Sequence, residues 1–209
     1  MTTAAEAKVH VVNGALVQHL GLPASYTIDA ETELGGTVDL VWPAIAARVV
    51  TTYDFPDCRK LFKPTQLAGT PDNGWTYGFA MPGERIGAPL AVLDQAGASE
   101  RKLRDFLLEG GNIYTNITPI WVRCRVLLDP QYWDQGFAMC FRAALAGGLA
   151  SALLSDADLA AQLTQDAFGK ASENFSGGLF GKLIAVSKGA EQPGRGFMDN
   201  DSLTSARFM

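Results

Sequence analysis

The chain is poor in the residues that most often carry chemistry. Its 209 residues include two histidines, His10 and His19, and three cysteines, Cys58, Cys124 and Cys140, with no C-x-x-C pair. An odd, widely spaced set of thiols argues against a disulfide framework or a zinc site, and points to small core residues in a reducing compartment. Charged residues make up 19%, below the usual share of about 25%. With 47% hydrophobic residues beside them, that excludes whole-chain disorder. Lysine and arginine number 17 against 22 aspartates and glutamates, a formal charge of −5. This is not the footprint of a protein that grips phosphate backbones, although a local basic patch is compatible with it. No uninterrupted run of 18 apolar residues occurs. The best candidate, Phe137 to Leu154, is broken by Arg142, Ser151 and two glycines, so it reads as the buried helix of a soluble protein. Met1 to Lys8 shows no basic stretch leading into an apolar one, so no secretory signal is expected.

Periodicity then supplies a fold class: α+β, mainly an α-helical bundle with a small antiparallel β lobe from the middle third. Val9, Val12, Leu16 and Leu20 predict a helix over about 4–20, stopped by Gly21 and Pro23. Val38, Trp42, Ile45, Val49 and Thr52 predict a second over about 37–54, with Pro43 marking a late start or a kink. From Phe55 to Gly74 the prolines and glycines read as a connector rather than an element.

The β-rich lobe is expected over about 75–128. Trp75 to Phe79 alternates aromatic and small residues, and Leu90 to Leu93 is a second strand candidate. Phe106–Leu108 and Ile113–Thr115 flank a Glu-Gly-Gly-Asn turn and predict a hairpin, and Ile120 to Leu128 is the richest β-type run. Phe137, Phe141, Ala144 and Gly148 predict a helix over about 134–154. Leu159, Leu163, Ala167 and Ala171 predict another over about 156–186, opened by Ser155 with Asp158 and weakened or ended at Gly177-Gly178. One domain over 1–188 and an extended tail over 189–209 follow.

Catalytic patterns are missing. Gly178-Leu-Phe-Gly-Lys-Leu183 resembles a phosphate loop only at a glance: Ser176 stands where its first glycine belongs, and Leu183 where the magnesium-binding hydroxyl belongs. No G-x-S-x-G elbow and no G-x-G-x-x-G follow a strand. His10 and His19 fall about half a turn apart on one helix and cannot share a ligand. The alternating carboxylates of Asp29 to Glu33 lack calcium-loop spacing. Asp129, Asp134 and Glu109 offer an acid–base pair only if folding brings them together. No catalytic residue, cofactor or metal ligand is assigned.

The order of the pieces carries more. Val12-Asn-Gly-Ala-Leu-Val-Gln-His-Leu-Gly-Leu-Pro23 closes the first helix, and Gly74-Trp-Thr-Tyr-Gly-Phe-Ala-Met-Pro82 follows the connector. Then come Glu109-Gly-Gly-Asn-Ile-Tyr-Thr-Asn116, Ile120-Trp-Val-Arg123 and Asp129-Pro-Gln-Tyr-Trp-Asp-Gln-Gly-Phe137, ahead of a helix of small residues and an alanine-rich one. From about Val11 to Lys182 this order resembles the tail tubular protein A family, the head-to-tail adaptors, or gatekeepers, of tailed bacteriophages. No single motif is diagnostic; order and spacing carry the likeness. Two departures stand out. Tyr53-Asp-Phe-Pro56 replaces the family's tighter W-x-F-A segment, and Pro82-Gly-Glu84 replaces its Pro-x-Asp.

The resemblance implies a non-enzymatic structural protein of the virion neck, made in the host cytoplasm. Its copies, likened to a dodecamer, would form a head–tail connector ring under the portal protein. That ring would extend the channel used in DNA ejection and dock a downstream tail or nozzle protein, with no membrane and no cofactor. An acidic chain suits a channel along which DNA must slide without being held. Ring closure needs heterologous faces, which the small-residue helices are able to supply.

The tail from Ser187 to Met209 is polar but punctuated by Phe197, Met198, Leu203 and Phe208. These suit either a segment that orders against the portal or an adjacent subunit, or a plain chain terminus. Two other readings stay open. One is a different neck or head-completion protein, separable by copy number. The other is a small intracellular enzyme, which would need a buried acid–base pair.

Overall fold

The computed structural model describes residues 3–28, 31–97 and 100–190. The fold is α+β, with five α-helices and two small antiparallel sheets among those residues. Helix α1 (Ala4–Leu20) opens on a capping box: the Thr3 hydroxyl accepts from the Glu6 amide at 3.2 Å, and the Glu6 carboxylate accepts from the Thr3 amide at 2.8 Å. Gly21, at φ 64°, closes the helix in the left-handed conformation that glycine takes without penalty.

Helix α2 (Glu33–Thr52) begins four residues before the expected position, because Thr32 caps it by accepting from the Gly35 amide at 3.0 Å. Pro43 lies inside this helix rather than at its start, with its ring on the exposed side. It supplies no N–H to the carbonyl of Asp39, yet the helix runs on to Thr52.

The segment expected to be a connector holds a strand. β1 (Arg59–Phe62) pairs antiparallel with β7 (Trp121–Arg125), in the register Arg59 to Arg125 and Phe62 to Val122. Lys60-Leu-Phe-Lys63 is too short between its prolines to show a period, so only its partner strand identifies it. The middle third also forms two sheets where one was expected. The first has the order β1-β7-β3-β4, with β3 (Ala91–Gln95) and β4 (Arg101–Lys102). The second has the order β2-β6-β5, from β2 (Tyr77–Ala80), β5 (Leu107–Glu109) and β6 (Asn112–Thr115). The expected hairpin is there: Glu109 pairs with Asn112, and Gly110 and Gly111 take φ 57° and 77°, as a two-residue primed turn demands. The sheets bury Phe79, Val92, Ile113, Ile120, Val122 and Cys124 in a core of their own.

Helix α3 (Gln135–Leu149) is the centre of the larger core and touches each of the other four helices. One π turn, Ala150–Leu154, extends it to Ser155, whose φ of 53° ends the run. The expected helix over 156–186 is two helices, α4 (Ala157–Phe168) and α5 (Leu179–Ala190). Asp156, not Ser155, caps α4, accepting from the Leu159 amide at 2.9 Å. Gly169 at φ 77° ends α4, and Gly178 then lies against the backbone of Ala167, Phe168 and Gly169, where no side chain fits. Ala171, expected on the stripe, is exposed beyond the end of α4.

Aromatic rings join the helices. Trp42 of α2 stacks on Trp133, with centroids 5.8 Å apart and 9° between planes, and both rest on Phe141. Phe55, Phe137 and Phe180 continue the cluster towards Tyr53 and Phe168. Such pairs add about 0.5–1.5 kcal/mol each beyond their buried area.

Candidate functional site

Where the first sheet meets the helices, the chain leaves a cavity of about 330 Å³. Phe55, Cys58, Leu128, Trp133 and Phe137 form its apolar wall, and Leu183 and Ser187, one turn apart on α5, close one side. Each wall residue is held by the fold around it. The indole N–H of Trp133 donates to the Leu128 carbonyl at 2.8 Å, and Asp134 caps α3 by accepting from the Phe137 amide at 2.8 Å. Asp57 and Asp134 are the two carboxylates at the cavity, and no cation pairs with either among the described residues. Burial, reinforced by Asp57 and Asp54, pushes the Cys58 thiol up to about 11, so it stays protonated and unreactive at neutral pH.

The residues singled out for chemistry in the sequence do not converge. His10 is exposed on α1. His19 lies beside Asp166, Lys170 and Lys182 in a separate hollow, where burial and then Arg142 hold its pKa below the ordinary value against the opposing charge of Asp166. Glu109 sits at the hairpin of the second sheet, near Tyr114, while Asp134 caps α3 and Asp129 leads into the short turn before it. Leu179 to Leu183 form the start of α5, and Gly178, just before it, is occupied by backbone packing. Among the described residues no cluster of three or more His, Cys, Asp and Glu stands close enough to hold a metal. Phe197, Met198, Leu203 and Phe208 lie outside the described residues.

A second feature escaped the sequence reading. Helices α2 and α3 with its π turn each reach the length and apolar content of a membrane span. The α3 segment is largely inside the core, but α2 is not. One side of α2 packs Val38, Ala46, Val49 and Val50 inward; the other shows Gly36, Leu40, Pro43 and Ala44 to solvent, with Leu40 79% exposed. The spacing signal is present in the sequence, since these positions repeat at helical steps opposite the inner stripe. Charge is also divided. Residues 55–128 carry nine lysines and arginines against seven acids, leaving eight and fifteen for the rest of the chain, so the acidity belongs to the helical part.

No known family model matches the chain, and no curated protein sequence matches it.

Proposed function

We propose that this chain is a structural virion protein, a head-to-tail adaptor whose ring joins the portal to the tail and extends the DNA channel. The observation that carries the reading is the uncovered apolar face of α2, in a chain whose element order already resembles the adaptor family. Apolar helix faces of this kind, bordered by polar residues, serve association. The five helices read as a bundle around α3, with the two sheets as the lobe that the resemblance implies. In a closed ring each copy offers one face to the next copy and another to the previous one. The α2 face supplies one of them. The acidic helical part, facing the channel, would let phosphate backbones pass without holding them. The tail after α5, with Phe197, Met198, Leu203 and Phe208, is assigned to contacts with the portal or the adjacent subunit.

The test is negative-stain electron microscopy with light-scattering mass, on the purified protein alone and mixed with the portal protein encoded nearby. A ring, free or capping the portal, is the expected result and gives the copy number directly. A monomer that ignores the portal overturns the reading.

A further inference from the structure

We infer that the cavity between Phe55, Trp133 and Leu183 is a docking site for this chain's own segment Arg195–Met198, which latches two of the tail's apolar anchors in the free subunit. The cavity is bordered by the last described helix. Leu183 and Ser187 form its α5 wall, and α5 runs on from there to Ala190. Nineteen residues follow. At ~3.3 Å per extended residue, the five steps from Ala190 to Arg195 span about 17 Å, enough to turn back to a cavity that α5 itself borders.

Its chemistry matches that segment. The walls are apolar and aromatic, and about 330 Å³ holds one or two side chains rather than a folded partner. Asp57 and Asp134 stand at the cavity without a cationic partner among the described residues. The following sequence, Pro193-Gly-Arg-Gly-Phe-Met198, offers one cation two positions before an aromatic residue. Phe197 and Met198 take the apolar floor, and Arg195 meets the carboxylates at the rim, where a guanidinium forms charge-assisted hydrogen bonds. Gly194 and Gly196 leave room for the backbone to approach the wall. A tether this short gives the chain's own segment a millimolar effective concentration, which favours it over the segment of a second copy.

The experiment uses the full chain alone, so it gives its answer whether or not a ring forms. Phe197 is replaced by the photocrosslinker p-benzoylphenylalanine, and equal amounts of 15N-labelled and unlabelled protein are mixed, irradiated at low micromolar concentration, digested and mapped by mass spectrometry. Adducts on residues 55–58 and 128–137, joining peptides of the same isotope, are expected. Arg195→Glu lowers their yield about threefold, the size of a partly exposed ion pair, and Asp57→Lys added to it restores the yield. Asp57 is exposed and caps nothing, so its replacement leaves the fold alone. Adducts elsewhere, no adducts, mixed-isotope pairs, or a yield indifferent to both charge reversals would each overturn the inference.

Discussion

The hydroxyl of Tyr53 lies 2.7 Å from the carbonyl oxygen of Phe168 and 3.0 Å from that of Phe175, and its single proton serves both. One phenol thus ties the end of α2 to the turn that separates α4 from α5. Burial raises its pKa to about 12. Tyr53→Phe removes the donor and leaves two carbonyls short of a partner, so a loss of about 1–2 kcal/mol in urea unfolding is expected. The loss also depends on pH. Below pH 10 the phenol is protonated in both folded and unfolded chains, and the contribution is complete. Above it the unfolded chain releases its proton first, so stability falls until the folded chain titrates near 12. Cys58 and Cys140, raised by burial to about 11, impose the same trend from pH 9 in wild type and variant alike. The gap between the two unfolding curves should therefore be flat to pH 10 and narrow above it. A gap that widens with pH would show that the hydroxyl does not donate.

The helices were legible in the sequence wherever one stripe faced one core. α1 and α3 fell where the spacing of Val12, Leu16, Phe137 and Phe141 placed them. The early start of α2 and the cap of α4 turn on local choices, Thr32 and Asp156, but the larger misreadings depend on contacts between separate stretches of chain. β1 is a strand because β7 lies beside it, and nothing in Arg59-Lys-Leu-Phe62 alternates. The split of α4 from α5 depends on Gly178 meeting the backbone at Phe168 and Gly169, ten and nine positions back along the chain. The cavity was invisible for the same reason, since Phe55, Trp133 and Leu183 come from three separate stretches.

Glycine substitutions separate a close approach from mere permissiveness. A Cβ on Gly178 would sit against the backbone of Ala167, Phe168 and Gly169, which cannot swing aside as a side chain can. Gly178→Ala should lose at least about 3 kcal/mol, the upper end of overpacking, or fail to accumulate as folded protein. Gly36 is the opposite case: it is exposed inside α2, and nothing lies within 4 Å of an added Cβ. Gly36→Ala should raise stability by about 0.5–1 kcal/mol, through helix propensity alone. Thermal unfolding of both variants checks the pair.

The three thiols give a probe of global opening. Cys58, Cys124 and Cys140 are buried, and burial raises the pKa of each. Little thiolate exists at pH 8, so a disulfide-exchange reagent such as DTNB should titrate none of the three in native protein and all of them in concentrated urea. Fast labelling of one thiol under native conditions would show that its wall opens locally.

Leu40 decides between packing and association. It is 79% exposed on α2, flanked one turn away on either side by Gly36 and by Pro43 and Ala44. With Leu40 79% exposed, a lysine there gives up little contact within the subunit, so Leu40→Lys should leave urea unfolding of the isolated subunit within about 0.5 kcal/mol of wild type. In a ring the same lysine would be buried against the next copy without a partner charge, which is expensive enough to prevent closure. Light-scattering mass should then report a monomer for Leu40→Lys, while Val17→Lys, an equally polar change at an exposed position of α1, still assembles. A Leu40→Lys chain that forms rings of wild-type mass would remove α2 from the interface.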